Sequence, residues 1–256
     1  MTRLILSSLP DIPMIHTGDD LVEIIWDGLV KADIKIQDGD ILVLAQKIVS
    51  KAEGRWVNLA TVTPSINAIE LAMMIDKDAR LVELILQESN QVLRTRVGTI
   101  IVEHHLGFVC ANAGIDHSNV AGEGNSSEDW VLLLPENPDE SAYKIRQELE
   151  AKCEVSLGVM IIDSHGRAWR QGVVGVAIGI AGLPGLVDMR GKNDLFGYNL
   201  RITTIGAADE LAAAASLVMG QADEATPIVH ARGFPYPLRE GSLKELLRPK
   251  EQDLFR

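Results

Sequence analysis

The order of hydrophobic and polar positions along the chain predicts a mixture of helices and strands. Apolar residues that recur three and four positions apart are typical of amphipathic helices, and short continuous apolar runs are typical of buried strands. Helical spacing occurs in residues 19–32, 64–75, 78–93, 139–152 and 207–220. Strand-like runs occur in residues 2–9, 38–49, 98–105, 107–111, 130–135, 157–163, 173–180, 200–205 and 227–232. Asp78 has the side chain and the position of a helix N-cap.

The order of these segments favours one fold class. Strands occur in runs and do not alternate one by one with helices, which indicates an α+β fold with mixed sheets and helices, not a doubly wound parallel sheet. Gly and Ser in residues 121–129 indicate a loop, but no segment has the composition of a linker between independent domains. We therefore expect a single domain over residues 1–256, and a division into two subdomains stays open.

Composition and charge narrow the classes of partner. The chain has 256 residues, of which 46% are hydrophobic and 23% charged, as in an ordinary globular protein. Its formal net charge of -12 argues against nucleic acid and anionic membranes as partners. The longest apolar stretches are broken by Gly and Pro and are too short for a membrane helix. The apolar segment at the start of the chain is too short for the hydrophobic region of a signal peptide. Cys110 and Cys153 lie far apart and suit a reducing compartment, so we expect a cytoplasmic protein.

Several well-known catalytic motifs are missing from the sequence. No GxGxxG follows a strand, and "GLVDMRGKN" does not fit the P-loop pattern. There is also no HExxH, GxSxG or nucleophilic cysteine signature, so zinc peptidases and serine hydrolases lose their sequence support. A site for a phosphorylated ligand would therefore have to be formed by residues outside these motifs.

Oxygen-bearing side chains follow two of the apolar runs. The run "GFVC" leads into Asn112 and Asp116, and "GVMII" leads into Asp163 and Ser164. Residues just beyond a strand can project from a rigid scaffold. Hard oxygen donors of this kind suit Mg²⁺ or Mn²⁺. A single Asp at such a position is more often a turn or cap residue, so the hypothesis of a metal site depends on the two segments meeting.

Two groups of basic residues lie near the ends of apolar runs. Lys47, Lys51 and Arg55 recur four apart from the end of the run 38–49, and Arg167 and Arg170 follow Asp163 closely. The alternative is an ordinary solvated face. The histidines lack the spacing of metal ligands and are interpreted as packing or hydrogen-bonding residues; these are His104, His105, His117 and His165.

An ordered set of segments resembles one known family. The chain is similar to the coenzyme F420-0:L-glutamate ligases, also called gamma-glutamyl ligases, in their single-domain form. The resemblance runs from about residue 8 to residue 234, and its segments are "LPDI", "GDDL", "DGDILVLAQKIVSKAEGR", "ANAGIDHSNV", "LLLPENPDESA", "GVMIIDSHGRAWRQG", "VAIGIAGL", "DLFGYNL" and "ADELAAAASLVMGQADE". Single motifs of this kind are weak, but the ordered set is specific.

The resemblance implies a fold, an activity and an assembly. The implied fold is the family's own α+β fold in an intertwined homodimer. The implied activity is GTP-dependent ligation of L-glutamate to the lactyl carboxylate of the deazaflavin F420-0, with further gamma-linked glutamates as an extension. The implied cofactors are GTP as co-substrate and Mg²⁺ or Mn²⁺, with K⁺ as a further candidate.

The resemblance also assigns site residues, position by position. Those on metal positions are Asp116, Asp163, Ser164 and Gln221. Those on nucleotide positions are Leu9, Pro10, Asp11, Ile12, Gln46, Lys47, Lys51, Asn119, Met219, Gly220, Gln221, Ala222, Asp223, Glu224, Ala225 and Thr226. Ser164 stands where Thr is usual and keeps the hydroxyl group. Gln221 stands where some relatives have Glu, which removes one negative charge.

The chemistry implied by the resemblance has physical requirements that the residues meet. A carboxylate that attacks a γ-phosphate brings anions together, so cations must neutralise charge on the phosphoryl oxygens. We expect two metal ions bridged by Asp163, a phosphate contact from Lys51, and a carboxylate or phosphodiester contact from Arg167 and Arg170. Two alternatives stay open, a metal-dependent phosphohydrolase and a protein that binds a nucleotide or deazaflavin without chemistry.

Overall fold

The computed structural model describes residues 3–120 and 129–254, so most of the predicted loop 121–129 lies outside the described residues. The helices are Leu21–Lys31 (α1), Gln46–Ala52 (α2), Ile66–Ile75 (α3), Ala79–Gln87 (α4), Pro138–Cys153 (α5) and Ala207–Met219 (α6). The strands are Ile5–Ser8 (β1), Ile41–Ala45 (β2), Trp56–Asn58 (β3), Ser89–Arg96 (β4), Thr99–His104 (β5), Val109–Ala111 (β6), Trp130–Leu132 (β7), Gly158–Arg167 (β8), Arg170–Ala181 (β9), Val187–Asp188 (β10), Thr204–Ile205 (β11) and Ile228–Arg232 (β12).

A five-stranded sheet with the order β1-β12-β2-β8-β9 forms the centre of the protein. The pair β2 and β8 is parallel, and the other neighbours are antiparallel. Strand β2 is an unbroken apolar run, as expected for a strand that is covered on both faces. The predicted α+β class with mixed sheets is therefore confirmed.

Apolar side chains cover both faces of this sheet. One core contains Ile25 of α1 and Leu149 of α5 together with the inward residues of β2 and β8. The core on the other face contains Leu211 and Ala215 of α6. The sheet thus lies between two helical layers, and burial of these side chains is the main stabilising force.

A lobe with its own core is inserted between β3 and β7. It packs α3 and α4 against the three-stranded antiparallel sheet β4-β5-β6. Strands β3 and β7 pair with each other and close the insertion at its base. Phe108, just before β6, packs against both the core of this lobe and the core under α1 and α5.

Side-chain caps define where several helices begin. The carboxylate of Asp20 accepts hydrogen bonds from the backbone at the start of α1, and Ser65 does the same for α3. Asp78 accepts from the backbone N–H of Arg80, which confirms it as the cap of α4. Among the described residues, no helix is long and apolar enough to cross a membrane.

Several sequence predictions were wrong in extent, and of the strand predicted over 200–205 only Thr204–Ile205 forms. The strand predicted over 38–49 ends at Ala45, because Ile48 and Val49 face the core from the helix α2 instead. The helix predicted over 78–93 ends at Gln87, because the following residues pair with β5 as strand β4. The strand predicted to end at Asp163 continues to Arg167, because its polar half pairs with β9.

Gly175 on β9 marks the closest approach of the sheet to α6. A Cβ atom there would lie 2.5 Å from the carbonyl oxygen of Ala212, which is backbone and cannot move aside easily. We therefore predict that Gly175→Ala lowers the free energy of unfolding by about 1–3 kcal/mol. Gly166→Ala on β8 is the matched control, because nothing lies within 4 Å of its Cβ position. Urea denaturation midpoints check this, and equal midpoints for the two variants would contradict it.

Candidate functional site

The candidate site lies where the parallel strands β2 and β8 bring two segments side by side. Ala45 lies opposite Ile162 in this pair, so Gln46, the first residue of α2, and Asp163 of β8 follow directly after neighbouring positions of the ladder. Adjacent strands of a sheet lie roughly 5 Å apart. The segments after β1 and before β12 reach the same edge, since the N–H of Leu9 donates to Ile228 and that of Ala45 donates to Pro227.

Asp116 reaches this edge from the inserted lobe. Its backbone exchanges two hydrogen bonds with Leu132 of β7, at 3.0 and 2.9 Å. Its carboxylate accepts a hydrogen bond from Nε2 of Gln46 at 2.5 Å and lies 3.4 Å from Nζ of Lys47. Lys47 also donates to Oγ of Ser118 at 3.1 Å. Residues 46 and 47 therefore tie the sheet to the loop that carries Asp116.

A left-handed turn precedes Asp116 and sets its direction. Asn112, Ala113 and Gly114 have φ values of 50°, 54° and 66°, a conformation that non-glycine residues rarely adopt. The side chain of Asn112 accepts a hydrogen bond from the backbone of Ile100 at 3.1 Å. Backbone strain of this kind persists only where the surrounding structure enforces it, and it clusters at functional sites.

The charge of Asp116 is unfavourable in the isolated site. Burial is the main cause that raises its pKa to about 6, and the nearby charge of Asp163 raises it further. Lys47 and Gln46 act in the opposite direction but do not cancel the shift. Because two partly buried carboxylates repel each other, binding of a cation to them would be favourable.

The four residues on metal positions form two pairs. Asp116 and Asp163 interact electrostatically, and Oγ of Ser164 donates to Oε1 of Gln221 at 2.9 Å. Successive side chains of a strand point to opposite faces, so Asp163 and Ser164 project from opposite sides of β8. The site therefore has two pairs of oxygen donors, Asp116 with Asp163 and Ser164 with Gln221. The pairs are neighbours because Asp163 and Ser164 are consecutive in the chain.

The chemistry of these donors fits hard divalent cations. Within the part of the chain that the structure describes, no three His, Cys, Asp or Glu residues are grouped as a metal cluster. Carboxylate, hydroxyl and amide oxygens remain, and these suit Mg²⁺ or Mn²⁺, which commonly complete their shells with water and phosphate oxygens. Soft metals that prefer thiolates have no matching donors here.

Lys51 is a buried cation one helical turn from Lys47. Its side chain is covered, and Nζ lies 5.5 Å from the centre of the Trp56 ring. Burial is the main cause that lowers the pKa of Lys51, and the charge of Lys47 adds to it. Asp116 partly offsets both effects. A weakly hydrated lysine of this kind gains strongly from an anionic ligand such as phosphate.

The residues on nucleotide positions surround the same edge of the sheet, and some of them are buried. The side chain of Leu9 is completely buried in the core, so only its backbone and the residues that follow it are available to a ligand. Asn119 donates from Nδ2 to the carbonyl of Ala222 at 3.1 Å, which joins the Asp116 loop to the segment 219–226. Thr226 closes that segment by donating to Met219 at 3.0 Å.

Three residues on nucleotide positions have left-handed backbones. Asp11, Asn119 and Ala225 have φ values of 51°, 57° and 53°. Asp11 and Asn119 are exposed, as are Asp223 and Glu224. The backbone of this region is thus held in conformations that ordinary loops avoid.

The two arginines predicted to bind substrate lie away from Asp163 along the hairpin. Arg167 and Arg170 pair across the tip of the β8–β9 hairpin, and both are exposed. Arg167 lies four positions along the strand from Asp163, which corresponds to roughly 13 Å. Arg55 lies elsewhere and binds Glu88 and the carbonyl of Leu134, so it has a structural role.

An aromatic stack lies behind Asp163. Nε2 of His165 lies 2.9 Å from Oδ2 of Asp163, and the His165 ring lies 5.2 Å from that of Phe108. Phe108 in turn stacks on the buried ring of His104, also at 5.2 Å. His165 and His104 therefore pack and hydrogen-bond, as the sequence predicted.

Two residues near the site had a signal that the sequence reasoning did not use. His165 follows Asp163 by two positions, so both lie on one face of a strand, and Ser118 lies two residues after Asp116. The spacing of His165 is informative only once the strand is known to extend past Asp163. The contact of Lys47 with Ser118 joins segments 71 positions apart and is invisible locally.

Comparison with known proteins identifies a consistent set of similar chains. A family model described as F420-0:Gamma-glutamyl ligase matches residues 11–233. The coenzyme F420:L-glutamate ligase of Methanothermobacter thermautotrophicus is 47% identical over 246 residues, 95% of each chain. The protein of the same name from Methanocaldococcus jannaschii is 45% identical over 225 residues, 88% of each chain. The one from Archaeoglobus fulgidus is 41% identical over 245 residues, 96% of this chain and 93% of its own.

His104 provides a test of the buried stack through the pH dependence of stability. Burial is the main cause that lowers its pKa from 6.5 to about 4, although Oε2 of Glu88 lies 3.8 Å from its Nε2. As the pH falls below 6.5 the unfolded chain takes up a proton that the folded chain accepts only near pH 4. Stability is therefore full above pH 6.5, and roughly 2–3 kcal/mol is lost as the pH falls to 4.

We predict that His104→Asn makes this loss smaller. The Asn carbonyl can still accept the hydrogen bond that Nδ1 of His104 accepts from Leu106, but it does not titrate. Urea unfolding at several pH values between 7 and 4 measures the slope. The matched control is His16→Asn at an exposed histidine, which should keep the wild-type slope. Parallel slopes for wild type and His104→Asn would contradict the prediction.

Proposed function

The chain belongs to the F420-0:gamma-glutamyl ligase family, and from this membership we propose that it joins L-glutamate to the lactyl carboxylate of coenzyme F420-0 in a GTP-dependent reaction. The proposal extends to the addition of further gamma-linked glutamates. The product of one round would carry one new amide bond.

The observation that carries the proposal is that Asp116 and Asp163 interact with each other beside the buried Lys51. Two acidic side chains from different parts of the fold interact electrostatically, and Lys47 and Lys51 both interact with Asp116. A site for phosphoryl transfer between two anions needs this combination of oxygen donors and positive charge. An exposed acidic cluster without lysines would not meet that need.

We assign Asp116, Asp163, Ser164 and Gln221 to divalent cations. When bound, Mg²⁺ or Mn²⁺ would neutralise the negative charge of the phosphates and so favour attack by an anion. The raised pKa of Asp116 supports this assignment, because a cation would remove the repulsion between the two carboxylates. K⁺ is a further candidate cation, for which we assign no residues.

We assign the nucleotide to the segments that surround this edge of the sheet. Residues 9–12, Gln46, Lys47, Asn119 and residues 219–226 belong to this group. The contact of Asn119 with Ala222 supports a common wall formed by two of these segments. Lys51 is proposed to contact phosphate, since an anion would compensate for its burial.

The proposed reaction has two balanced steps. A carboxylate oxygen of F420-0 attacks the γ-phosphorus of GTP, the bond to the bridging oxygen breaks, and GDP leaves an acyl phosphate behind. The glutamate amine then attacks the acyl carbon, phosphate leaves, and the amine loses a proton to solvent. The protein contributes by orienting the reactants and by excluding water, which would hydrolyse the acyl phosphate.

The arginines of the hairpin tip are proposed to bind substrate. Arg167 and Arg170 carry the positive charge that a carboxylate or the phosphodiester of F420-0 requires. Their distance from Asp163 suits a part of the substrate remote from the reacting carboxylate. They are therefore assigned to binding, and no chemical step depends on them.

We further propose that the chain forms a homodimer with itself as the partner. Between β10 and β11 an arm extends from the body, and Leu195, Phe196 and Ile202 in it are 98%, 95% and 88% exposed. The side chain of Asp194 accepts hydrogen bonds from the backbones of Phe196 and Tyr198, which gives the arm a defined shape. Large apolar side chains in an ordered arm are typical of an interface with another chain.

Two other functions are distinguishable from ligation by their products. A phosphohydrolase would release GDP from GTP without changing F420-0, and a passive module would bind nucleotide or deazaflavin without releasing either product. Both would use the same oxygen donors. Product analysis therefore decides between the three.

The test is incubation of the purified protein with GTP, Mn²⁺, L-glutamate and F420-0, with GDP release and the mass of F420-0 followed together. We predict GDP release coupled to a mass gain of one glutamyl unit. Asp163→Asn should reduce this rate at least about 100-fold, because it removes a ligand of the cation. The matched control is Asp33→Asn at an exposed aspartate with a left-handed backbone that Asn accepts.

The outcomes separate the parts of the proposal. GDP release without mass gain would overturn ligation in favour of hydrolysis, and binding with neither product would favour the passive module. Near wild-type ligation by Asp163→Asn at ordinary Mn²⁺ concentration would overturn the metal assignment alone.

The dimer proposal has its own prediction. Leu195→Ser together with Phe196→Ser removes the two most exposed apolar side chains of the arm and should shift the protein to monomer in size-exclusion chromatography with light scattering. Met73→Ser is the matched control, because Met73 is 80% exposed on α3 and lies outside the arm. A monomeric wild type, or a double variant that stays dimeric, would contradict the assignment of the arm.

A further inference from the structure

His165 makes a directed contact with a residue assigned to the cation. Its Nε2 lies 2.9 Å from Oδ2 of Asp163, and the two side chains are only 12% and 13% exposed. An ionised carboxylate only accepts hydrogen bonds, so Nε2 must be the nitrogen that carries the proton. Within the described residues no hydrogen bond to Oδ1 of Asp163 is found, so that oxygen remains available to a cation.

The backbone holds this pair in place. Asp163 and His165 lie two residues apart on β8, and they pair with Val176 and Val174 of β9. Residues at this spacing share one face of a strand. Because β8 continues past Asp163 as half of a long hairpin, His165 is supported by regular structure and not by a loop.

The inserted lobe holds the His165 ring from the other side. The ring centres of Phe108 and His165 are 5.2 Å apart, and the two rings are tilted by 52°. The Phe108 ring also lies nearly parallel to the His104 ring, at an angle of 10°. His104 is itself fixed, because Nδ1 accepts a hydrogen bond from the backbone of Leu106 at 3.0 Å. A stack of three rings thus connects the lobe that carries Asp116 with the strand that carries Asp163.

We infer that His165 is a positioning residue that fixes the rotation of the Asp163 carboxylate and so prepares the cation site. By holding Oδ2, the imidazole leaves Oδ1 as the oxygen that would be available to a cation. The stack on Phe108 couples this orientation to the position of the lobe. Polar groups that hold a metal ligand from behind commonly determine its orientation and its affinity for metal.

The inference rests on the proposed role of Asp163 as a cation ligand, and its test uses metal binding instead of catalysis. Purified full-length protein is titrated with Mn²⁺ alone, without nucleotide or substrate, and free Mn²⁺ is measured by electron paramagnetic resonance. The variants are His165→Gln and His165→Asn. Both offer an amide N–H, but only Gln places it as many bonds from the backbone as Nε2 of histidine.

We expect His165→Gln to bind Mn²⁺ nearly as tightly as wild type and His165→Asn to bind it roughly 10–100-fold more weakly. A purely structural histidine would not distinguish the two amides in this way. Equal affinities for the two variants, whether both tight or both weak, would overturn the inference. Thermal unfolding in EDTA checks that each variant is folded.

Two further variants keep the test decisive. Asp163→Asn in the same titration examines the ligand assignment itself: if it binds Mn²⁺ like wild type, the assignment under the proposed function fails. If it loses Mn²⁺ while His165→Asn does not, only the positioning role fails. Should His165→Asn not fold, Phe108→Leu takes its place, since loss of the ring should weaken Mn²⁺ binding, and an unchanged affinity overturns the inference.

Discussion

The candidate site depends on one electrostatic constraint, the closeness of two carboxylates that belong to different cores. Asp163 comes from the central sheet and Asp116 from the inserted lobe, and burial together with their mutual repulsion raises the pKa of Asp116 to about 6. Lys47 offsets part of this repulsion, and Lys51 lies one turn further along the same helix. Such an arrangement is stable only with compensating positive charge, which explains why basic residues gather here in a chain with a net charge of -12.

The architecture places these groups by means of a parallel strand pair. Strands β2 and β8 end their common ladder at Ala45 and Ile162, and there the chain of β2 turns into a helix while β8 continues as a hairpin. This divergence leaves an open edge that the lobe can cover. The lobe is held in register by the Asp116 bridge to Leu132 and by Phe108, which packs against two cores. Fold and site are therefore inseparable, because the same contacts that close the lobe bring its carboxylate to the sheet.

Membership of the F420-0:gamma-glutamyl ligase family gives this geometry a chemical meaning. A ligation that joins two anionic substrates with a third anion as phosphoryl donor must overcome repulsion at each step. Under the proposed function, a cation at Asp116 and Asp163 would relieve the repulsion that the two lysines offset only in part. If Asp163 binds a cation as proposed, the ring stack behind it would set the orientation of that carboxylate.

The sequence by itself determined the α+β class, most helices and strands with a clear period, the cap at Asp78 and, through ordered motifs, the family and its candidate ligands. It could not determine that residues 46–52 form a helix, that residues 89–96 form a strand, or that Asp163 lies within a hairpin. Short apolar runs such as these fit both the helix period and the strand period. The choice between helix and strand depends on pairing with strands distant in the chain. The grouping of four donors into two pairs, the separation of Arg167 and Arg170 from Asp163, and the contact of His165 with Asp163 were likewise decided only by tertiary structure. Burial and distance set the strength of electrostatic and hydrogen-bonding interactions, and both arise only when remote segments pack together.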